Sequence, residues 1–193
     1  MKTRGLKILL SVALLSTTLM ARGHHQHRHH GNGNGGDGVS SNSSQVVQLT
    51  KEQEDALKFM YQEEKVARDA YTVLSEKWGS RVFSNIKKSE QRHMDAIKRL
   101  LERHNIPIPA IEDETGVFEN EDLQNLYNQL MEQGLSSEEE ALKVGVAIEE
   151  TDIADLEERM VGAPDEVVKV FKNLLRGSQN HLRAFNRTLE RMQ

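Results

Sequence analysis

The 193-residue sequence contains no cysteine. Disulfide bonds, zinc–thiolate sites and iron–sulfur centres are therefore excluded, because each of them needs cysteine sulfur. A lipoprotein is excluded as well, since no cysteine is present to carry the lipid. Any metal ion that this chain binds must be held by histidine, aspartate and glutamate.

Prolines are few, and negative charge exceeds positive charge. Three prolines and a composition of 37% hydrophobic and 28% charged residues predict one compact domain with tails. The formal net charge is −5, and it becomes about −8 once the three basic residues of a predicted leader are removed. We expect no nucleic-acid partner for so acidic a chain.

The N-terminus has the pattern of a secretory signal peptide. Three basic residues precede the apolar run 8–15, and smaller residues continue to Ala21. This run is too short for a membrane-spanning helix. We predict a signal peptide over residues 1–21 and an exported protein, periplasmic or secreted, with an uncleaved N-terminal anchor as the alternative.

Residues 22–49 are predicted to be a disordered tail. Its Gly/Asn/Ser-rich part cannot bury enough apolar area to offset the entropy lost on ordering. Cleavage after Ala21 would expose Arg22-Gly23-His24, whose four nitrogens could form the square-planar site that copper(II) and nickel(II) favour. The tail histidines are candidate metal ligands, with a solvated polar tail as the alternative: His24, His25, His27, His29 and His30.

The predicted domain, residues 50–193, opens with two antiparallel helices. Thr50 and Gln53 form a capping-box pattern, and the first helix should run to about Trp78. We place the N-cap of the second helix at Ser84, after a short connection.

Each of these two helices carries polar residues within an apolar stripe. Glu64 interrupts the stripe of the first helix, whereas the neighbouring Glu63 is predicted to face solvent. In the second helix, Glu90 and His93 lie one turn apart in the same stripe. Burying an unpaired charge costs several kcal/mol, so these inward side chains need partners.

A long connection and two more helices complete the predicted bundle. The segment between Asn105 and Ser137 has room for a short helix over 119–133 and for a crossover along the bundle. The third long helix begins at Ser137, and the fourth follows the Gly162–Pro164 break. The inward polar residues on these two helices are Glu149, Asp152, Ser178 and His181.

The inward polar residues share one height in the predicted bundle. They lie 11 to 18 residues from the turn of their own hairpin, and at 1.5 Å per residue all of them fall within about 10 Å of one level. We interpret this layer as a metal site, with ion pairs to Arg68, Arg92 or Arg183 as the alternative. The predicted ligands are Glu64, Glu90, His93, Glu149, Asp152 and His181.

Other residues are assigned to the surroundings of this site. Tyr71 and Ser178 are candidate hydrogen-bond partners of the ligands, with core packing as the alternative for Tyr71. Gly145 and Gly177 each lie one turn before a predicted ligand, where they either open space beside the site or allow close helix packing. Mixed oxygen and nitrogen donors suit iron or manganese, with zinc as a further alternative.

The helix motifs resemble those of known metalloproteins. Glu64-x-x-Ala67-Arg68-x-x-Tyr71, Glu90-x-x-His93 and Glu149-x-x-Asp152 are similar to motifs of rubrerythrin and the wider ferritin-like di-iron proteins. More closely, residues 53–189 resemble a prokaryotic ferritin-like family known only as a domain of unknown function. The resemblance implies an all-α, ferritin-like four-helix bundle with a dinuclear metal site, in which a long crossover carries a short helix between helices two and three.

One position departs from the ferritin-like pattern. Such sites usually have a second Glu-x-x-His on the fourth helix, and here Ser178 takes the place of the glutamate. Asp152, one turn after Glu149, could restore the number of carboxylates as a relocated ligand.

The resemblance implies no assigned substrate, and the function that we predict first is that of a redox-active di-iron protein, an oxidase or peroxidase acting on Fe(II), O₂ or peroxide. Without cysteine, its electrons must come from an external donor protein or from the iron that is oxidised. A metal-sequestering protein without catalytic activity and a helical interaction module without metal are the alternatives. A homodimer is left open.

Overall fold

A computed structural model of the chain describes residues 47–110 and 114–192. The predicted signal peptide, the tail histidines and the predicted copper or nickel site lie outside these described residues. The division of the chain into leader, tail and domain therefore stays a prediction.

The described residues form five α-helices and no strand, which confirms the predicted all-α class. In chain order these are α1 (Lys51–Trp78), α2 (Arg81–Arg103), α3 (Glu121–Gly134), α4 (Glu138–Arg159) and α5 (Asp165–Glu190). Hairpin α1–α2 packs on hairpin α4–α5 through the pairs α1–α4 and α2–α5, and α3 packs on α1 and α4. Within this part of the chain, no helix has the length and apolarity needed to cross a membrane.

The connection between α2 and α4 crosses the length of the bundle. At the start of α1, the Gln53 side chain donates a hydrogen bond of 3.0 Å to the carbonyl of Gly162, beyond the end of α4. At the end of α1, the Trp78 indole donates to the carbonyl of Gly134, at the end of α3, over 2.9 Å. Helix α4 therefore starts beside the end of α1 and runs antiparallel to it, as the crossover prediction requires.

A buried ion pair on α1 holds the crossover in place. The Lys65 ammonium, whose side chain is 0% exposed, donates to Asp69 Oδ2 over 2.6 Å. It also donates to the carbonyl oxygens of Glu114 and Val117 at 2.6 and 3.1 Å. The backbone N–H of Gly116 in turn donates to Asp69 over 2.9 Å. This charged pair was not predicted from the sequence.

Side-chain caps begin two of the long helices as predicted. Thr50 and Gln53 form a reciprocal capping box at the start of α1, with hydrogen bonds of 3.3 and 3.0 Å. At the start of α4, the Ser137 hydroxyl accepts from the Glu140 N–H over 3.1 Å. Both helices therefore satisfy a donor that would otherwise lack an intrahelical partner.

The predicted start of the second helix was wrong. Gly79, with φ 67°, ends α1 in the left-handed conformation, and the chain re-enters a helix at Arg81 with Ser80 as the N-cap. Ser84 lies inside α2, where its hydroxyl donates to the Arg81 carbonyl over 3.1 Å. A glycine that readily adopts positive φ allows a turn shorter than the serine pattern suggested.

The apolar core is split into two clusters. One lies toward the end of α1 and contains Tyr71 and Phe185. The other lies toward the start of α1 and contains Met94 and Phe171. Helices α1, α2, α4 and α5 contribute to both clusters, and the buried residues between the two clusters are polar.

Candidate metal centre

The polar layer between the two clusters brings the predicted ligands together. Four carboxylates at 1 to 5% exposure and two imidazoles at 8% lie there, together with a fully buried serine. The layer consists of Glu64 on α1, Glu90 and His93 on α2, Glu149 and Asp152 on α4, and Ser178 and His181 on α5.

One group of candidate ligands comes from the α1–α2 hairpin. The Nδ1 atom of His93 lies 3.1 Å from Glu64 Oε2 and 2.9 Å from Glu90 Oε2. One oxygen or nitrogen from each of the three residues lies within 4.8 Å of the other two. Glu90 and His93 lie three residues apart on α2, and Glu64 lies opposite them on α1. The donor atoms of the three side chains therefore face a common point.

A second group joins α2 to the α4–α5 hairpin. The Nδ1 atom of His181 lies 2.9 Å from Glu90 Oε1 and 3.4 Å from Glu149 Oε2. These three residues also offer atoms within 4.8 Å of one another. The rings of His93 and His181 stack with centroids 5.5 Å apart and an interplanar angle of 27°. Glu90 thus belongs to both groups, with one oxygen facing each imidazole.

The distances between these atoms fit shared coordination. Donor atoms bound to one ion at about 2.1 Å lie about 3.0 Å apart at adjacent corners of an octahedron and about 3.4 Å apart in a tetrahedron. The nitrogen–oxygen distances here run from 2.9 to 3.4 Å. The same atoms could also share protons, so hydrogen-bond geometry provides a further test.

Several atoms of the layer have no hydrogen-bond partner in the described structure. A buried polar atom without a partner costs about 1–3 kcal/mol, so a cluster of them calls for something that satisfies them. His181 Nδ1 and Glu90 Oε1 are only 2.9 Å apart, yet their orientation does not make a hydrogen bond. The atoms without a hydrogen bond are Glu64 Oε1, Glu90 Oε1, Asp152 Oδ1 and His181 Nδ1.

Asp152 lies at the edge of the two groups. It is one turn after Glu149 but is not a member of either three-residue group. The Ser178 hydroxyl donates to its Oδ2 over 2.5 Å, while Oδ1 has no partner among the described residues. Ser178 therefore fixes this carboxylate with one oxygen left over, which is compatible with the predicted relocated ligand and leaves that role a prediction.

Tyr71 has a defined partner in the layer. Its hydroxyl donates to Glu149 Oε1 over 2.7 Å, which leaves Oε2 of that carboxylate facing His181. The Tyr71 ring packs in a tilted orientation against Phe185 and Phe83, with centroid distances of 5.2 and 5.9 Å. The predicted partner role of Tyr71 thus has a geometric basis in both its hydroxyl and its packing.

The buried charges shift one another's protonation. Burial would lower the pKa of His93, but the carboxylates of Glu64 and Glu90 outweigh it and raise the pKa to about 11. The same competition raises the pKa of His181 to about 10. Burial would raise the pKa of Glu90, yet the two imidazoles bring it down to about 2. Without metal, the layer therefore holds one carboxylate between two imidazolium rings at neutral pH.

Within the described ranges, the ion-pair contacts to the carboxylates of the layer come from imidazoles and not from Arg92 or Arg183. Arg92 and Arg183 are exposed on the surface. Arg68 donates to Asp69 over 2.9 Å and to Gln91 over 2.8 Å. The ion pairs inside the layer are the carboxylate–imidazole contacts described above.

Glu63 was wrongly expected to face solvent. It is 6% exposed, and burial followed by the charge of Asp152 raises its pKa well above the usual range. A helix places neighbouring residues about 100° apart, so Glu63 beside the inward Glu64 enters the seam between α1 and α4. Sequence spacing showed only one inward stripe and missed this second buried face of α1.

The fold and the layer define a class: an all-α bundle with a buried carboxylate–histidine cluster that could hold metal ions. Within that class, the chain belongs to the family described as "Uncharacterized protein domain (DUF2202)", which matches residues 53–193. The family description assigns no activity, so the chemistry must be argued from the site itself.

Known proteins similar to this chain include one from Methanocaldococcus jannaschii and one from Deinococcus radiodurans. "Uncharacterized protein MJ0754" of Methanocaldococcus jannaschii is 49% identical over 142 residues, which cover 73% of this chain and 77% of the relative. The crystal structure of MJ0754 aligns at 47% identity with a TM-score of 0.74, over 76% of this chain and 85% of that one. A DUF305 fragment from Deinococcus radiodurans, 18% identical with a TM-score of 0.56, covers 75% of this chain and 99% of its own and shares the helical fold alone.

Proposed function

We propose that the polar layer is a dinuclear metal centre of the ferritin-like type and that its metal is iron. The observation that carries this proposal is the position of Glu90. Its two oxygens each lie 2.9 Å from a different imidazole nitrogen, which is the arrangement expected of a carboxylate shared by two ions. The buried atoms of the layer that lack a hydrogen bond fit the same proposal, because bound ions would satisfy them.

Each ion would have its own imidazole and its own carboxylate. Glu64 and His93 would hold the first ion, Glu149 and His181 would hold the second, and Glu90 would contact both. Asp152 is proposed as a further ligand through its free Oδ1. Carboxylate and imidazole donors without sulfur suit iron, and they also leave manganese and zinc as alternatives.

The activity that we propose is that of an oxidase or peroxidase. When bound, two Fe(II) ions would supply two electrons, which together with two protons from the solvent suffice to reduce one molecule of hydrogen peroxide to two molecules of water. The chain's own residues contribute enclosure and orientation: two apolar clusters cover the layer from both ends, and Tyr71 fixes Glu149. Repeated turnover needs electrons from an external donor, since the chain has no redox-active cysteine.

Anaerobic titration of untagged full-length protein with Fe(II) tests the proposal. We expect binding of two ions per chain, followed by rapid oxidation of bound Fe(II) when one equivalent of peroxide per pair is added. Glu149→Ala should lose one ion, whereas Glu150→Ala, an exposed neighbour on α4, should bind as the parent does. Binding of no iron, or equal binding by the Glu149→Ala protein, would contradict the proposed centre.

A sequestering function is the second candidate. It is favoured by the burial of the layer, where no proposed ligand exceeds 8% exposure, because an enclosed ion leaves slowly. The titration separates these two candidates and the metal-free alternative: oxidation supports the oxidase or peroxidase, stable uptake without oxidation supports sequestration, and no uptake supports the interaction module.

Export belongs to the same proposal and rests on the N-terminal pattern alone. Intact-mass analysis of the protein from the periplasm or the medium should show a chain that begins at Arg22. Such a terminus would also create the proposed copper or nickel site.

A further inference from the structure

Helix α5 has a glycine, Gly177, at the point where it passes the ring of His93. A Cβ atom placed on Gly177 would lie 2.5 Å from His93 Nε2 and 2.8 Å from His93 Cε1. Real Cβ atoms essentially never approach other atoms below 3.0 Å. The imidazole therefore occupies space that any residue other than glycine would fill.

The opposite edge of the same ring is fixed by carboxylates. His93 Nδ1 lies 3.1 Å from Glu64 and 2.9 Å from Glu90. A planar ring held at Nδ1 cannot move its Nε2 edge away from α5 without changing those two distances. His93 is thus confined between the carboxylates on one side and the backbone of α5 on the other.

We infer that Gly177 is a positioning residue, whose missing side chain sets His93 Nδ1 against Glu64 and Glu90. A glycine inside a helix is less favourable than alanine, and this contact gives a physical reason for it here. The inference rests on the proposed dinuclear centre for its effect on metal binding, and on the contact alone for its effect on stability.

The effect should fall on one metal position only. The same added Cβ would lie 3.9 Å from His181 Cε1, which is an ordinary van der Waals contact. Gly177→Ala should therefore displace His93 and leave His181, Glu149 and Glu90 in place. The Gly177→Ala protein should therefore lose the first proposed ion and keep the second.

Titration with Mn(II), followed by electron paramagnetic resonance, measures this directly. The parent protein should bind two ions with an exchange-coupled spectrum, and Gly177→Ala should bind one ion with the six-line spectrum of isolated Mn(II). The matched control is Gly134→Ala in α3, where the added Cβ would lie 2.9 Å from Leu74, and which should keep two coupled ions. Two coupled ions in the Gly177→Ala protein would overturn the inference.

A thermodynamic cycle in metal-free protein tests the contact without any ion. Gly177→Ala should lower the melting temperature of the parent, because the ring and the new methyl group overlap. In the His93→Ala background, the same substitution should raise the melting temperature, because the space is empty and alanine is the better helix former. An equal change in both backgrounds would show that His93 is not the reason for the glycine.

The two experiments separate the possible failures. A parent protein that binds no metal defeats the proposed function, while the cycle still decides the role of Gly177. A parent and a Gly177→Ala protein that both bind two coupled ions defeat the positioning role and leave the proposed function standing.

Discussion

At the scale of single residues, the imidazoles of the polar layer act as cations as long as no metal is bound. The pKa of His93 is raised to about 11 and that of His181 to about 10, since the neighbouring carboxylates outweigh burial. Protons thus occupy the nitrogens that would bind the ions. Metal binding and protonation must compete for the same two atoms.

This competition predicts that metal uptake releases protons. At pH 7 each ion should displace at least about one proton, because a ligating imidazole must be neutral. Calorimetric titration in buffers of different ionisation enthalpy measures the number released. Affinity should fall as the pH is lowered, and an affinity that is the same at pH 6 and pH 8 would contradict the model of competition.

The metal-free protein should lose stability as the pH rises. Burial raises the pKa of Glu64 from 4.5 to about 7 and that of Glu149 to about 8. Between these pKa values the folded chain holds protons that the unfolded chain releases. The stability that the protonated Glu64 and Glu149 contribute is fully present below pH 4.5 and is lost as the pH rises from about 4.5 to 8. The two histidines act in the same direction from pH 6.5 upward. Urea unfolding of chelated protein at several pH values measures the trend.

The contribution of Glu90 to the stability of the metal-free protein changes with pH in the opposite direction. Its pKa is lowered to about 2 by the two imidazoles, so its contribution is present above pH 4.5 and disappears as the pH falls toward 2. In a Glu90→Gln protein the loss of stability between pH 4 and pH 2 should be smaller than in the parent.

Tyr71→Phe should weaken the second metal position. Removal of its hydroxyl deletes the 2.7 Å hydrogen bond to Glu149 and should cost about 1 kcal/mol of unfolding free energy. Tyr127→Phe, in the crossover helix, is the matched control. Equal metal affinity in the Tyr71→Phe protein and the parent would show that Glu149 does not need this donor.

At the scale of helices, the crossover depends on a buried charge. Lys65→Met should leave the carbonyl groups of Glu114 and Val117 without their ammonium donor and should remove the buried cation beside Asp69, which keeps its hydrogen bonds from Arg68 and the Gly116 N–H. We expect the unfolding free energy to fall by about 3 kcal/mol, the lower end of the cost of breaking a buried ion pair. Lys88→Met, at an exposed position on α2, should change it by less than about 0.5 kcal/mol. Chemical denaturation of both variants provides the comparison, and similar values for the two would contradict the role of Lys65.

The helices also show what sequence reasoning could reach. The stripes gave the five helices and the inward positions of Glu64 and Glu149, because a 3.6-residue period with capping residues is a local signal. The burial of Glu63 and Lys65 could not be predicted from this period, since it depends on α4 and on the crossover packing against α1. Contacts between distant segments decide such positions, and they leave little trace in spacing.

At the scale of the whole molecule, the two proposed metal positions differ in which helices they connect. The groups at the first position, Glu64, Glu90 and His93, all lie on the α1–α2 hairpin. The second position combines Glu90 with residues of α4 and α5, Glu149 and His181. An ion at the first position would connect α1 with α2, within one hairpin. An ion at the second position would connect α2 with α4 and α5, and so would join the two hairpins of the bundle.

Because only the second ion would join the two hairpins, the thermal stability of the protein should depend unequally on the two ions. With saturating metal, His181→Ala should lose more of the metal-induced rise in melting temperature than His93→Ala, because an ion at the second position would join ligands that lie farther apart along the chain and would therefore close a longer loop. Equal losses would mean that both ions bridge the halves. Without the second ion, the two hairpins would still be joined by their shared apolar clusters, and the supply of metal in the cell would then contribute to the lifetime of the folded chain.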